Sequence, residues 1–205
     1  MQVQSNSLTV GLFGTCGGSA WRAPFIAEYS RRGIPFFNPQ VEDWKPELAE
    51  LEAWHLANDS LLLFPVTSET YGTGSLSETG FSVLSALRWD TQRFVVVFID
   101  PCVSPALEAQ NSVAAKESVR ARKLVKAHLE KVGHPNVFVV SSLEDMLDVS
   151  LRLFAALQLI ASVKNPAINW RQGMSPAAWL SVFMENPSSA QQKRADNMLN
   201  PALEV

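Results

Sequence analysis

The 205 residues carry 17 Lys and Arg against 20 Asp and Glu, for a formal net charge of −3, with 47% hydrophobic and 18% charged residues. That composition excludes a disordered chain, and the acidic balance lacks the basic face that a nucleic acid polymer requires. The two cysteines, Cys16 and Cys102, make neither a disulfide framework nor a paired zinc motif.

Free thiols in a reducing, cytoplasmic compartment are expected, with no metal and no cofactor. Met1 to Val10 lacks the basic start and long apolar run of a signal peptide. The most apolar later stretch, Leu151 to Val163, is broken by Arg152 and Gln158, so no membrane span is expected.

Short apolar runs alternate with amphipathic segments. Leu8 to Phe13 reads as a strand, followed by the glycine-rich Gly14-Thr-Cys-Gly-Gly-Ser19 and a helix over Ala20 to Arg32 that Gly33 stops. Ile34 to Phe37 is a short strand, which Pro35 assigns to a sheet edge. A helix over Pro46 to Asn58 follows. Ser60 to Val66 and Arg93 to Ile99 are nearly continuous apolar runs, as suits strands covered on both faces.

Between these runs the spacing of Phe81, Leu84 and Leu87 predicts a helix over Ser75 to Leu87. One long helix over Leu107 to Val132, a strand over Val137 to Val140 and a helix over Leu143 to Val163 complete the pattern. Five strand–helix alternations predict a three-layer α/β fold of the Rossmann-like kind. Its parallel sheet would be ordered 2-1-3-4-5. Residues 1–164 form the expected domain. Residues 165–205, with Trp170, Trp179 and Phe183 among four prolines, read as a helical extension packing on the domain or on a partner subunit.

Ligands of open parallel sheets bind beyond the carboxyl ends of the strands, where strand order reverses. Three loops should meet there: Gly14 to Arg22, Asn38 to Trp44, and Thr67 to Glu78. In the first, Gly14, Thr15 and Ser19 offer amides and hydroxyls to an anion at a helix start, or form a tight turn with Ser19 as helix cap. It is neither a Walker loop nor a dinucleotide fingerprint. In the third, Ser75-x-x-Glu78 fits a capping box, and spacing alone favours that role for Glu78.

The segment Gly72-x-Gly74-x-x-x-Glu78-x-Gly80 resembles the signature of the nucleoside 2-deoxyribosyltransferase-like family, with one residue more before the glutamate. The Gly-rich loop followed by Trp21-Arg22 is similar to that family's start, and Phe37-Asn-Pro39 with Asp43-Trp44 resembles a diverged branch. The likeness covers roughly Leu8 to Val140. It implies a flavodoxin-like fold and cleavage or transfer of the N-glycosidic bond of a nucleoside, nucleotide or related ribosylated metabolite. It also implies Glu78 as nucleophile.

A second acid would then assist the departing base. The family's spacing, counted back from Asp59, lands on Leu51, between Glu50 and Glu52. Asp43 and Asp100 are the rival acids, and Asp59 reads as a turn or capping carboxylate. Around them Arg22 could pair with a phosphate, orient a carboxylate or sit in a surface salt bridge. Trp21 or Trp44 could stack on a base or lie in the core. Asn38, Gly74 and Ser75 complete the expected substrate contacts, and Tyr71 could close over the site.

The basic helix Lys116 to Lys131 reads as a solvated face. His55, His128 and His134 show no ligand spacing and read as surface or helix-packing residues. The expected partner is a small nucleoside or nucleotide, bound by a homodimer or higher homo-oligomer. Two further readings share the pocket: a non-catalytic nucleotide-binding or sensing module, and a flavin-binding protein, for which Gly14 to Ser19 offers too few hydroxyls.

Overall fold

The apolar runs become the strands of one sheet. In the computed structural model, which describes residues 8–41, 45–80 and 93–164, the strands are β1 (Val10–Leu12), β2 (Phe36–Phe37), β3 (Leu61–Val66), β4 (Phe94–Ile99) and β5 (Val137–Val140). All four pairings are parallel and the order is β2-β1-β3-β4-β5, as the alternation predicts. The helices are α1 (Arg22–Arg32), α2 (Pro46–Asn58), α3 (residues 73–80), α4 (Pro105–Gln110), α5 (Ser112–Val132) and α6 (Leu143–Lys164). This is a flavodoxin-like α/β fold.

Alternate residues of the central strands feed two cores. Leu61 and Leu63 of β3 join Trp21, Phe25 and Tyr29 of the α1 side and Met146 and Phe154 of α6. Leu62, Phe64 and Val66 face the other way, with Phe13, Leu76 of α3 and Leu129 of α5. Every residue of β3 is buried, so its unbroken apolar run follows from helices on both faces. Inside the first core the Tyr29 hydroxyl meets Ser150 Oγ at 2.5 Å. Burial pushes the Tyr29 hydroxyl above its ordinary pKa range.

The chain divides into two compact units, Met1–Leu157 and Gln158–Val205, and the sheet lies in the first. Of the second, residues 158–164 are described and form the last turns of α6. The expected extension over residues 165–205 lies outside the described residues, as does the part of the third helix beyond residue 80. No helix among the described residues is long and apolar enough to cross a membrane.

The first helix starts at Arg22 rather than Ala20, and two further helix boundaries differ from expectation. The long helix over Leu107 to Val132 is in fact α4 and α5, broken at Asn111, which is extended (φ −152°, ψ 93°). The Asn111 side chain accepts from the Ala114 amide at 3.0 Å, so a strong N-cap residue starts a new helix there. The third helix starts at residue 73 rather than Ser75, with the Leu76 amide bonded to the Gly72 carbonyl at 2.9 Å.

Candidate functional site

β1 stops early, at the strand-order reversal where open parallel sheets have their crevice. Leu12 pairs with Leu63, whereas β3 runs on to Val66. Pro65 has no N–H to offer a longer β1, and the chain turns over it instead. Gly14, at φ +89°, makes this turn; a Cβ there would lie 2.5 Å from the Pro65 carbonyl oxygen.

Thr15 ties the turn down. Its amide and hydroxyl both donate to the Pro65 carbonyl (2.8 and 3.1 Å), and its hydroxyl accepts from the Thr67 amide at 2.9 Å. Thr15 is fully buried. It is a strap between two loops and offers no hydroxyl to a ligand.

Ser19 does not cap α1, whose N-cap residue is Trp21 with no side-chain cap bond. Instead Ser19 Oγ donates to Glu69 Oε2, which also accepts from Thr67 Oγ1 at 2.6 Å. Glu69 thus latches the first loop to the third, a contact that the sequence reading missed. Between Thr15 and Ser19, Gly17 and Gly18 face open space.

Arg22 is not a surface residue in a salt bridge. It is 3% exposed and spends its guanidinium on the loop carbonyls of Leu12 (Nε, 2.9 Å) and Thr15 (Nη1, 2.6 Å). Nη1 also reaches Gln40 Oε1 at 3.2 Å, and Gln40 Nε2 donates to the Gly17 carbonyl at 3.0 Å. Gln40, unforeseen, joins the second loop to the first. Asn38 shapes that second loop, its Oδ1 accepting from the Gln40 amide at 3.0 Å. Trp21 is 4% exposed, donates Nε1 to the Thr15 carbonyl at 2.8 Å and meets Phe25 edge-on, so its ring belongs to the core.

The third loop is held by Arg122 of α5. This residue is fully buried, against the expectation of a solvated basic face. Nη1 donates to the carbonyls of Val66 and Asp100 (both 3.0 Å), Nη2 to those of Thr67 (2.9 Å) and Thr70 (2.6 Å), and Nε to Ser118 Oγ (3.1 Å). Tyr71 does not close over the crevice. Its hydroxyl donates to the Leu107 carbonyl at 2.9 Å and its own carbonyl accepts from Ser118 Oγ at 2.7 Å, fixing it against α4 and α5.

The early start of α3 removes the capping box, because Ser75 lies inside the first turn. Ser75 is buried and its carbonyl accepts from Thr79 Oγ1 at 2.6 Å, while Gly74 is exposed beside open space. Glu78 is half-buried, and none of the described residues hydrogen-bonds its carboxylate. Burial pushes its carboxyl above the ordinary range, the nearby charge of Glu52 pushes it further, and Arg22 pulls it back. Burial likewise raises Glu52, against the pull of Arg22. Arg22, drawn down by burial, is drawn up in turn by Cys16, Glu52 and Glu78.

Of the candidate second acids, Glu52 is the one whose charge bears on Glu78. Glu50 is exposed, and Asp43 and Trp44 lie outside the described residues. Asp100 accepts from the Cys102 amide at 3.1 Å and lines a different recess. Asp59 is fully buried at the other end of α2, 2.9 Å from His55 Nδ1.

That recess is a cleft of about 370 Å³ near the start of α6, lined among others by Trp21, Thr67, Glu69, Asp100, Ser141 and Ser142. Neither Glu78 nor Glu52 lines it. Among the described residues no group of His, Cys, Asp and Glu is placed to hold a metal ion.

The fold is that of an α/β protein of flavodoxin-like topology, and in it the charge of buried Arg22 bears on both Glu52 and Glu78. No known family model matches the chain, and no curated protein matches it.

Proposed function

We propose that the crevice cleaves or transfers the N-glycosidic bond of a nucleoside, nucleotide or related ribosylated metabolite, with Glu78 as nucleophile and Glu52 as acid. The observation that carries this reading is the state of Glu78. Its carboxylate is half-buried, spared from capping, and under the charge of a second carboxylate, Glu52. A helix surface gains nothing from such a pair, since like charges in a partly buried site cost free energy. The pair resists its second negative charge, which favours one carboxylate and one carboxylic acid. Glycosyl transfer needs that combination.

In the microstate that reacts, the one proton of the pair sits on Glu52: ionised Glu78 attacks the anomeric carbon as the bond to the base breaks, and the Glu52 proton passes to the departing base nitrogen. The resulting glycosyl ester is then released to water or to a second acceptor, with Glu52, now ionised, taking the acceptor's proton. The proposal includes a homo-oligomer, whose mass in solution is its check, and a cytoplasmic location.

The test is release of base from a panel of nucleosides and monophosphates. Glu78→Gln should lose turnover by several orders of magnitude on every substrate. Glu52→Gln should lose it on substrates with natural bases but retain it on glycosides whose leaving group needs no proton. Equal turnover by wild type and Glu78→Gln would overturn the reading.

One observation favours a second reading. The 370 Å³ cleft, lined by hydroxyls and by Glu69 and Asp100 but by neither Glu52 nor Glu78, would suit a module that binds or senses the base and sugar of a nucleotide. Nucleotide binding without base release, retained in Glu78→Gln, would establish it.

A further inference from the structure

Helix α2 contains no fully buried residue, yet it carries Glu52. Its half-buried positions include Leu48, Glu52, His55 and Leu56. These recur at i, i+4, i+7 and i+8, one face of a helix, so a carboxylate occupies a place on the inward stripe where an apolar residue is usual. The last turn of this face is held by several contacts. The His55 ring lies flat on Phe37 of β2, with centroids 3.7 Å apart and planes 6° from parallel.

His55 Nδ1 is also 2.9 Å from Oδ1 of the fully buried Asp59, which leads into β3. Arg93, which leads into β4, donates Nη1 to the Leu56 carbonyl at 3.1 Å and Nη2 to the Ala57 carbonyl. Phe37 of β2, the C-cap residue Asp59 and Arg93 ahead of β4 thus hold one helical turn. Pro46, Glu47, Ala49, Glu50 and Leu51, nearer the start of α2, are exposed. A helix gripped at one end has the position of its other residues set by that grip. Glu52 precedes His55 by three residues, a rise of about 4.5 Å.

We propose that His55, Asp59 and Arg93 are positioning residues of the crevice: by gripping the last turn of α2 they present Glu52 to Glu78. This rests on the pairing of Glu52 with Glu78 proposed above, and it names what fixes the second carboxylate in place. None of the three touches the crevice carboxylates; they act through the backbone of α2. Of the groups that face the pair, Arg22 acts on both carboxylates, whereas His55 and Arg93 act on Asp59.

The experiment follows the carboxyl carbons of Glu52 and Glu78 by nuclear magnetic resonance through a pH titration of the full chain. Wild type is compared with Glu52→Gln, His55→Ala and Arg93→Lys, and with each of the last two combined with Glu52→Gln. Arg93→Lys keeps the charge but loses the two-pronged hold on α2, and it leaves the imidazole in place. Backbone resonances of α1 and α5 report that each variant is folded.

Glu52→Gln should lower the Glu78 midpoint. His55→Ala and Arg93→Lys should lower it in the same direction, and neither should lower it further once Glu52 is Gln. A folded His55→Ala or Arg93→Lys with the wild-type midpoint would overturn the positioning role while leaving the pair intact. An unmoved midpoint in Glu52→Gln would overturn the pair, and the positioning role with it. Turnover is not read, so loss of the proposed reaction and loss of the anchor remain distinct results.

Discussion

Gly72 lies against the guanidinium of Arg122: a Cβ at Gly72 would stand 3.3 Å from Nη2 and 2.6 Å from Val66 Cγ1. At φ +69° the residue also adopts a backbone that favours glycine. Gly72 ends the loop that Arg122 holds and precedes the helix that carries Glu78. Gly72→Ala should therefore cost about 1–3 kcal/mol, from backbone strain and overpacking together. Denaturant midpoints would measure it. Gly74→Ala, where nothing lies within 4 Å of the added methyl, should change stability little and provides the control.

Arg122→Lys should be among the most damaging conservative changes in the chain. An ammonium group cannot reach four carbonyls and a hydroxyl in the fork geometry that the guanidinium fits. Each buried carbonyl left without a donor costs about 1–3 kcal/mol. A loss of several kcal/mol is expected, read as a large fall in melting temperature. Lys123→Ala, exposed on the same helix, should stay within about 0.5 kcal/mol of wild type.

Thr15→Val keeps shape and removes the strap. The Thr67 amide loses its acceptor and the Pro65 carbonyl loses one of two donors, a cost of about 1–3 kcal/mol in a fully buried place. Had Thr15 been a ligand contact, the same change would weaken binding and leave unfolding unmoved. Thermal unfolding without any added nucleotide separates the two.

Glu78→Gln should make the fold more stable at neutral pH. The folded carboxyl titrates above its unfolded value, so the folded state binds the proton more tightly. Protonation therefore stabilises the folded state at acid pH. That contribution is lost as pH rises from the unfolded pKa through the folded one. Above that window wild type carries the full penalty of a half-buried, repelled carboxylate, and Gln does not. The gain should be on the order of 1 kcal/mol or less, since solvent screens the group, and should vanish below the unfolded pKa. A variant less stable than wild type at pH 7 would return Glu78 to a capping role.

The order of the sheet was legible because β3 and β4 are unbroken apolar runs and Pro35 marks an edge. The start of α3 was not legible, because Gly72-Thr-Gly gives no cap signal. The helix nevertheless begins at residue 73, bonding to the Gly72 carbonyl, and that moves Ser75 from cap to interior. Arg122 was hidden by its neighbours, and Glu52 stood level with Glu50. One basic residue among six on Lys116 to Lys131 turns inward, and the residues that share its burial are Ala115, Ser118 and Leu129.

Those positions stand at i, i+3, i+7 and i+14, so the stripe was present in the sequence. Its small and apolar members said where a charge would be enclosed. The same test applied to Leu48, His55 and Leu56 selects Glu52 over Glu50, where counting from Asp59 fell between them. Arg22 differs, since it opens its helix and nothing periodic precedes it. Only the carbonyls of the turn before it explain why it is buried.

Arg22 and Arg122 share a habit with a consequence for how this chain can change. Among the described residues, both hold the walls of the crevice through backbone carbonyls and neither through a carboxylate. Carbonyls do not titrate and are the same whatever side chain they belong to. These two grips therefore hold in acid, and they also survive replacement of the acids they surround. Frame and reagents are separately variable: the pair of glutamates can be exchanged for other chemistry while the two arginines go on gripping the same peptide oxygens.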